Sequence, residues 1–129
     1  MIVDTSAIIA VLFEEDGFEG YVDILLRTPN CRMSVASLVE ISLVANRRLG
    51  PGANKQCDAL LLKTEIAIEP VTLEQALIAR EAFLNFGKGR HPAGLNFGDC
   101  FSYALATATG EPLLFKGDDF SKTDLISAS

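Results

Sequence analysis

The chain opens with MIVDTSAIIAVLF (Met1–Phe13), and the reading of this stretch decides the fold. Met1-Ile2-Val3 is apolar without alternation, the pattern of a short strand buried on both faces of a parallel sheet. Asp4 ends the run, and Asp4-Thr5-Ser6 supplies cap chemistry for a helix over Thr5–Phe13. An acid set between a buried strand and a helix is either a plain cap or the first piece of a site. The rest of the chain has to decide between these.

Working outward, Gly17 breaks the first helix. Phe18–Arg27 then carries apolar residues at Phe18, Tyr21, Val22, Leu25 and Leu26, which is helical spacing. Pro29-Asn30 is a turn. Cys31–Ser34 is a second strand, and Ser34 caps a long helix to Leu49, stopped by Gly50-Pro51-Gly52. Ala53 to about Glu65 is another helix. Ala67–Val71 is a third strand, interrupted by Pro70, which puts it at an edge or ends it there. Thr72 opens a helix to Phe86, followed by the glycine-rich, basic loop 87–94. Phe97–Thr109 is the last helix, with Gly110 as its C-cap. Leu113–Lys116 is a fourth strand, and Asp124–Ser127 is placed as a fifth. Strands separated by helices predict an α/β domain, with a central parallel sheet of four to five short strands.

The length of 129 residues makes this one domain, 1–129. Hydrophobic residues are 49% and charged residues 22%, which excludes a disordered chain. No apolar run approaches the roughly 20 residues of a membrane span. The start lacks a signal peptide's basic n-region, so a cytoplasmic location is expected. Three cysteines without a CxxC pair and a single histidine argue against zinc and for buried thiols. A net charge of −6 excludes a domain that coats nucleic acid through bulk positive charge.

The acids carry more information than the total charge. Glu40 lies inside VASLVEISLVA, with Ala36, Ser37, Leu43 and Val44 as helical neighbours and no base among them. Ser37-x-x-Glu40 matches a capping box, but a helix starting there would waste the better cap at Ser34. Asp99 opens the helix of NFGDCFSYALA, where the helix dipole alone would favour an acid. Asn96, Ser102 and Tyr103 lie within about one turn of it. Asp118 and Asp119 follow the fourth strand in a good turn sequence, GDD. In parallel α/β sheets, ligands gather at the carboxyl ends of strands, where Asp4 and this doublet fall. Four acids without basic partners point to a hard cation held by oxygen alone, Mg²⁺ or Mn²⁺. Such a site suits hydrolysis at phosphate. Lys88, Arg90 and His91, just before the Asp99 helix, are candidates to steer phosphates, or else a solvated loop. Phe120 is expected to anchor the turn after the doublet in the core.

The opening MIVDTSAIIAVL, the segments VASLVE, RHPAGLNFGDCFSYALA and PLLFKGDDFSKTD, and the order of the acids resemble PIN-domain nucleases. Within these they are most similar to the VapC toxins of toxin–antitoxin pairs. The resemblance covers nearly the whole chain. It implies a three-layer α/β/α sandwich and a Mg²⁺-dependent endoribonuclease in which Mn²⁺ can substitute. It also implies an RNA substrate, a VapB-like antitoxin and a homodimer. The metal-binding acids it implies are Asp4, Glu40, Asp99 and, directly before Phe120, Asp119; Ser6 and Asp118 are in support. Many family members place the fourth acid where this chain has Gly117. The competing readings are a housekeeping PIN nuclease of RNA processing, an inactive binding module that keeps the acids as caps, and a phosphoacceptor receiver domain. The receiver would need adjacent acids after the first strand, where this chain has Asp4 followed by Thr5-Ser6.

Overall fold

The strands are short because each needs only a few buried residues before its chain must turn into a helix. The computed structural model describes residues 1–129 and gives the order β1 (Ile2–Val3), α1 (Thr5–Leu12), α2 (Phe18–Arg27), β2 (Arg32–Ser34), α3 (Val35–Leu49), α4 (Ala53–Lys63), β3 (Ala67–Glu69), α5 (Leu73–Phe86), α6 (Phe97–Thr109) and β4 (Leu113–Leu114). The sheet order is β3-β2-β1-β4, and every pairing is parallel. β1 is therefore central, with Ile2 opposite both Arg32 and Leu113.

Period-two alternation divides the strand residues between two cores. Val3, Met33 and Leu114 face a cluster with Ile8, Leu25, Ile41, Ala45, Cys57 and Leu61, drawn from α1 to α4. Ile2 and Leu113 face the other cluster, with Ala79, Ala82, Tyr103, Ala104 and Leu105 from α5 and α6. Helices thus cover both faces, and the three-layer α/β/α arrangement follows. Cys31, Cys57 and Cys100 are buried free thiols in or beside these cores. No helix is long and apolar enough to cross a membrane.

Several strand ends fall earlier than the apolar runs suggest. β3 stops at Glu69, because Pro70 has no N–H to offer the ladder. It is an edge strand, as its proline indicated. β4 stops at Leu114: the N–H of Asp4 takes the Leu114 carbonyl, and the N–H of Lys116 donates to the Ser6 hydroxyl instead of a strand. The fifth strand is reduced to one parallel bridge, Leu113 to Ser127. α4 ends at Lys63, and Glu65 beyond it adopts φ +54°. A 3-10 turn, Phe120–Lys122, is absent from the sequence reading. Phe120 itself is buried and lies 5.3 Å from Phe115 between ring centres.

Met33 is wholly buried, whereas Leu62 is 81% exposed. Met33→Ala should cost about 2–5 kcal/mol of stability, and Leu62→Ala within about 0.5 kcal/mol. Urea denaturation of both variants checks this; similar midpoints would contradict the core assignment.

Candidate functional site

The site is built from the end of β1 outward. Asp4 has extended backbone geometry and caps α1, so the plain structural reading of this acid is correct as far as it goes. A cap needs only one accepted hydrogen bond, and Asp4 has three. Its Oδ2 accepts from the Ser6 N–H at 3.0 Å and the Ser6 hydroxyl at 2.7 Å. Its Oδ1 accepts from the Ser102 hydroxyl at 2.5 Å, across 98 residues of chain. Asp4 as a whole is 3% exposed. Three donors occupy three of its roughly four lone-pair sites, which leaves room for one further partner.

Glu40 projects from α3, which starts at Val35 with Ser34 as its cap, accepting from the Ala36 N–H at 3.2 Å. The Ser37 capping box therefore does not form. Burial raises the Glu40 carboxyl above its ordinary range; the Thr5 hydroxyl pulls it down, and the Asp4 charge adds to the rise. Asp99 does form a capping box, with Asn96: its Oδ2 accepts from the Asn96 N–H at 3.0 Å, and Asn96 Oδ1 accepts from the Asp99 N–H at 2.9 Å. Asp99 Oδ1 has no hydrogen bond. Burial pushes this carboxyl up to about 7, the Asn96 N–H opposes that, and the charges of Asp4, Asp119 and Glu40 reinforce it. Acids from four separate segments therefore share one electrostatic field.

The doublet divides. Both aspartates are exposed, but only Asp119 is among the charges acting on Asp99. Asp118 lies further into the loop, where its carbonyl accepts the Ser121 hydroxyl at 2.6 Å. Ser6 bridges Asp4 to the Lys116 N–H at 2.9 Å, so it joins the end of β1 to the end of β4. No site acid takes part in an ion pair. The bases that do form ion pairs take other acids: Lys116 and Arg48 on Glu15, Arg32 on Glu69 and Glu111.

One expectation changes. Tyr103 does not join Asp99; its hydroxyl donates to Asp124 at 2.6 Å, because its ring lies in the α5–α6 core. Lys88, Arg90 and His91 make no bond to the acids. His91 Nδ1 accepts the Ala93 N–H at 3.0 Å, with its ring edge-on to Phe86, and Arg90 lies over Phe83. These contacts organise the loop. Conversely, Ser37 was read only as a possible cap and Ser102 only as a neighbour of Asp99. The two hydroxyls meet at 3.2 Å, fully buried, and the Thr5 hydroxyl donates to the Ser37 carbonyl at 3.5 Å. The available signal was a pair of serines on otherwise apolar helix faces.

The donor set is all oxygen, charged, and free of competing bases, so it fits a hard divalent cation. As the side chains stand, no three of them converge tightly enough to hold an ion. Like charges keep apart, and binding a cation would draw them together.

An α/β/α domain with carboxylates on and around the ends of its central strands fits the class of metal-dependent phosphoryl-transfer proteins. Comparison with known proteins narrows this. The PIN-domain family model matches residues 1–125. Ribonuclease VapC28 of Mycobacterium tuberculosis is 50% identical over 129 residues, covering 99% of this chain and 97% of the relative. The crystal structure of VapC20 from the same organism, described as a sarcin-ricin loop cleaving toxin, superposes with a TM-score of 0.79 at 24% identity, covering 98% of this chain and 97% of that one. VapBC2 of Rickettsia felis, bound to promoter DNA, gives 0.75 at 13% identity, covering 98% and 95%. The chain belongs to the PIN-domain family and, within it, to the VapC ribonucleases.

The position of Asp99 has a pH consequence. Burial pushes its carboxyl up to about 7 in the folded chain, well above the ordinary carboxylate range, so between the two the folded state holds the extra proton. This contribution to stability is present below the unfolded pKa and is lost as pH rises through the folded one. The metal-free chain should therefore melt higher at pH about 5 than at about 8 by an amount that shrinks in Asp99→Asn. Equal pH differences for the two proteins would rule the effect out.

Proposed function

We propose that this chain is a VapC-type toxin, a Mg²⁺-dependent endoribonuclease that hydrolyses RNA phosphodiester bonds. The observation that carries the reading is the shared field of Asp4, Glu40, Asp99 and Asp119. These acids come from four segments, and no base neutralises them. Asp4, Glu40, Asp99 and Asp119 would hold the ion. Bound there, a hard divalent ion stabilises charge on the phosphate and lowers the pKa of an attacking water.

The remaining steps belong to the chain itself. Ser6 and Ser102 fix the Asp4 carboxylate in one orientation, so its open lone pair points one way. Asp99 Oδ1 is free of hydrogen bonds because the cap occupies only Oδ2, so it is the oxygen left to face the ion. Asp118 is a supporting charge at the rim. Lys88 and Arg90 stand on an exposed loop at the entry to α6, where they attract the substrate backbone without touching the acids.

The partners proposed are a VapB-like antitoxin and a second copy of the chain, in the cytoplasm. Support comes from the α5–α6 face, where Leu73, Leu77, Phe83, Leu84 and the 79% exposed Phe97 present apolar surface of the kind that contacts between proteins bury.

RNA cleavage should require Mg²⁺ or Mn²⁺ and stop with EDTA; cleavage surviving excess chelator would refute the metal mechanism. The doublet supplies a sharper expectation. Asp119→Asn should lose about 2–4 kcal/mol of transition-state stabilisation, the scale of one preorganised electrostatic group, and Asp118→Asn much less. Initial rates at saturating Mg²⁺ decide it, and an inactive Asp118→Asn beside an active Asp119→Asn would put Asp118 in the site instead.

A further inference from the structure

The helices α3 and α6 meet along a seam of small residues. Ser37 touches Ser102, and one turn away the Glu40 carboxylate lies against Gly98. A Cβ placed on Gly98 would collide with the carboxylate: 2.7 Å from Glu40 Cδ and 2.8 Å from Oε1, with Oε2 closer still. Contacts under 3.0 Å are essentially never seen for real Cβ atoms, so something would have to move. The three nearest atoms all belong to the far end of the Glu40 side chain.

We propose that Gly98 is a positioning residue for metal binding: the missing Cβ is the space in which the Glu40 carboxylate stands beside Asp99. The inference deepens the metal-dependent reading above and rests on it. Gly98 needs no special backbone, since its φ lies outside the left-handed region. Nor does the helix benefit from it. Glycine is a poorer helix former than alanine, though less so in the first turn, where Gly98 stands. A glycine that the backbone does not require, in a position where the helix would prefer alanine, is explained by what occupies its vacant side. The neighbouring seam contact, Ser37 to Ser102, leads to Asp4. Close approach of the two helices therefore sets both Asp4 and Glu40 around the first turn of α6.

The consequence is an unusual separation of stability from function. Gly98→Ala should fold, and the metal-free protein should melt at or above the wild-type temperature. Its Glu40 carboxylate, pushed out of the space, should no longer serve the ion. Affinity for Mn²⁺, read by electron paramagnetic resonance titration, should fall by about 10–100-fold, the range for loss of a group that orients a metal ligand. RNA cleavage should fall with it. Glu40→Asp, one methylene shorter, should weaken Mn²⁺ binding in the wild-type background and cost much less when added to Gly98→Ala, because the shorter side chain avoids the new methyl group. Gly20→Ala, a helix glycine with nothing within 4 Å of its Cβ position, is the control for propensity alone. It should raise the melting temperature and leave Mn²⁺ binding unchanged.

If wild type and Gly98→Ala bind Mn²⁺ equally, or if the Glu40→Asp losses are simply additive, this inference is overturned while the metal reading stands. A Gly98→Ala protein that melts well below wild type without metal also overturns it, since the role is then structural. A wild-type chain that neither binds Mn²⁺ nor cleaves RNA overturns both.

Discussion

A single buried carboxylate organises this molecule. Asp4 stands where the central strand becomes a helix, nearly sealed from water. An unpaired charge there would be prohibitive, so the surroundings must supply donors. They come from Ser6 on α1 and Ser102 on α6, and Ser6 in turn holds the backbone of Lys116 after β4. One charge thus ties together the end of the central strand, its parallel neighbour β4, and helices from both faces of the sheet. The same bonds that satisfy the charge also fix its direction. Stability and preorganisation are here one requirement.

The other acids are arranged differently. Glu40 and Asp99 are half-buried, and burial raises both. Bringing them together without a base works against the fold. The parts of the structure that offset this lie elsewhere, in two well-filled cores divided by the alternation of Ile2 and Val3 and of Leu113 and Leu114. Bases are present in the same chain but are placed on other carboxylates, as with Arg32 on Glu69 and Lys116 on Glu15. None of these pairs includes a site acid. Strain localised in this way is what a cation site requires.

The element order was legible in the sequence because each helix carries its own punctuation: Ser34 and Thr72 as caps, Gly110 as a stop, Pro70 as a strand break. The candidate acids stand out for the opposite reason, since Glu40 has no local partner to explain it. What could not be read was anything that depends on two distant segments meeting. The Ser37–Ser102 contact joins positions 65 apart in the chain, and each serine alone reads as an ordinary helix residue. Tyr103 was assigned to the wrong neighbour because spacing along a helix gives proximity without saying which way the core lies. The length of β4 was overestimated because its pairing is ended by a side chain of another segment, Ser6, and not by any breaker in its own sequence.

The local reading of the acids and the proposed functional one are compatible. Asp4 is a cap and Asp99 completes a capping box, as their positions alone would suggest. Capping uses one carboxyl oxygen of Asp99 and leaves the other unbonded, while the helix end holds the carboxylate in a fixed rotamer with an N–H of Asn96. A side chain fastened in this way at one oxygen presents the second with little conformational freedom left to lose, which is the condition for an effective ligand. The cap is therefore part of how the proposed site is made. The same reasoning separates the doublet: Asp119 adjoins the buried Phe120 and begins the 3-10 turn, whereas Asp118 sits one residue further from any anchor. Of two chemically identical side chains, the one whose backbone the core has fixed is the one whose charge reaches Asp99.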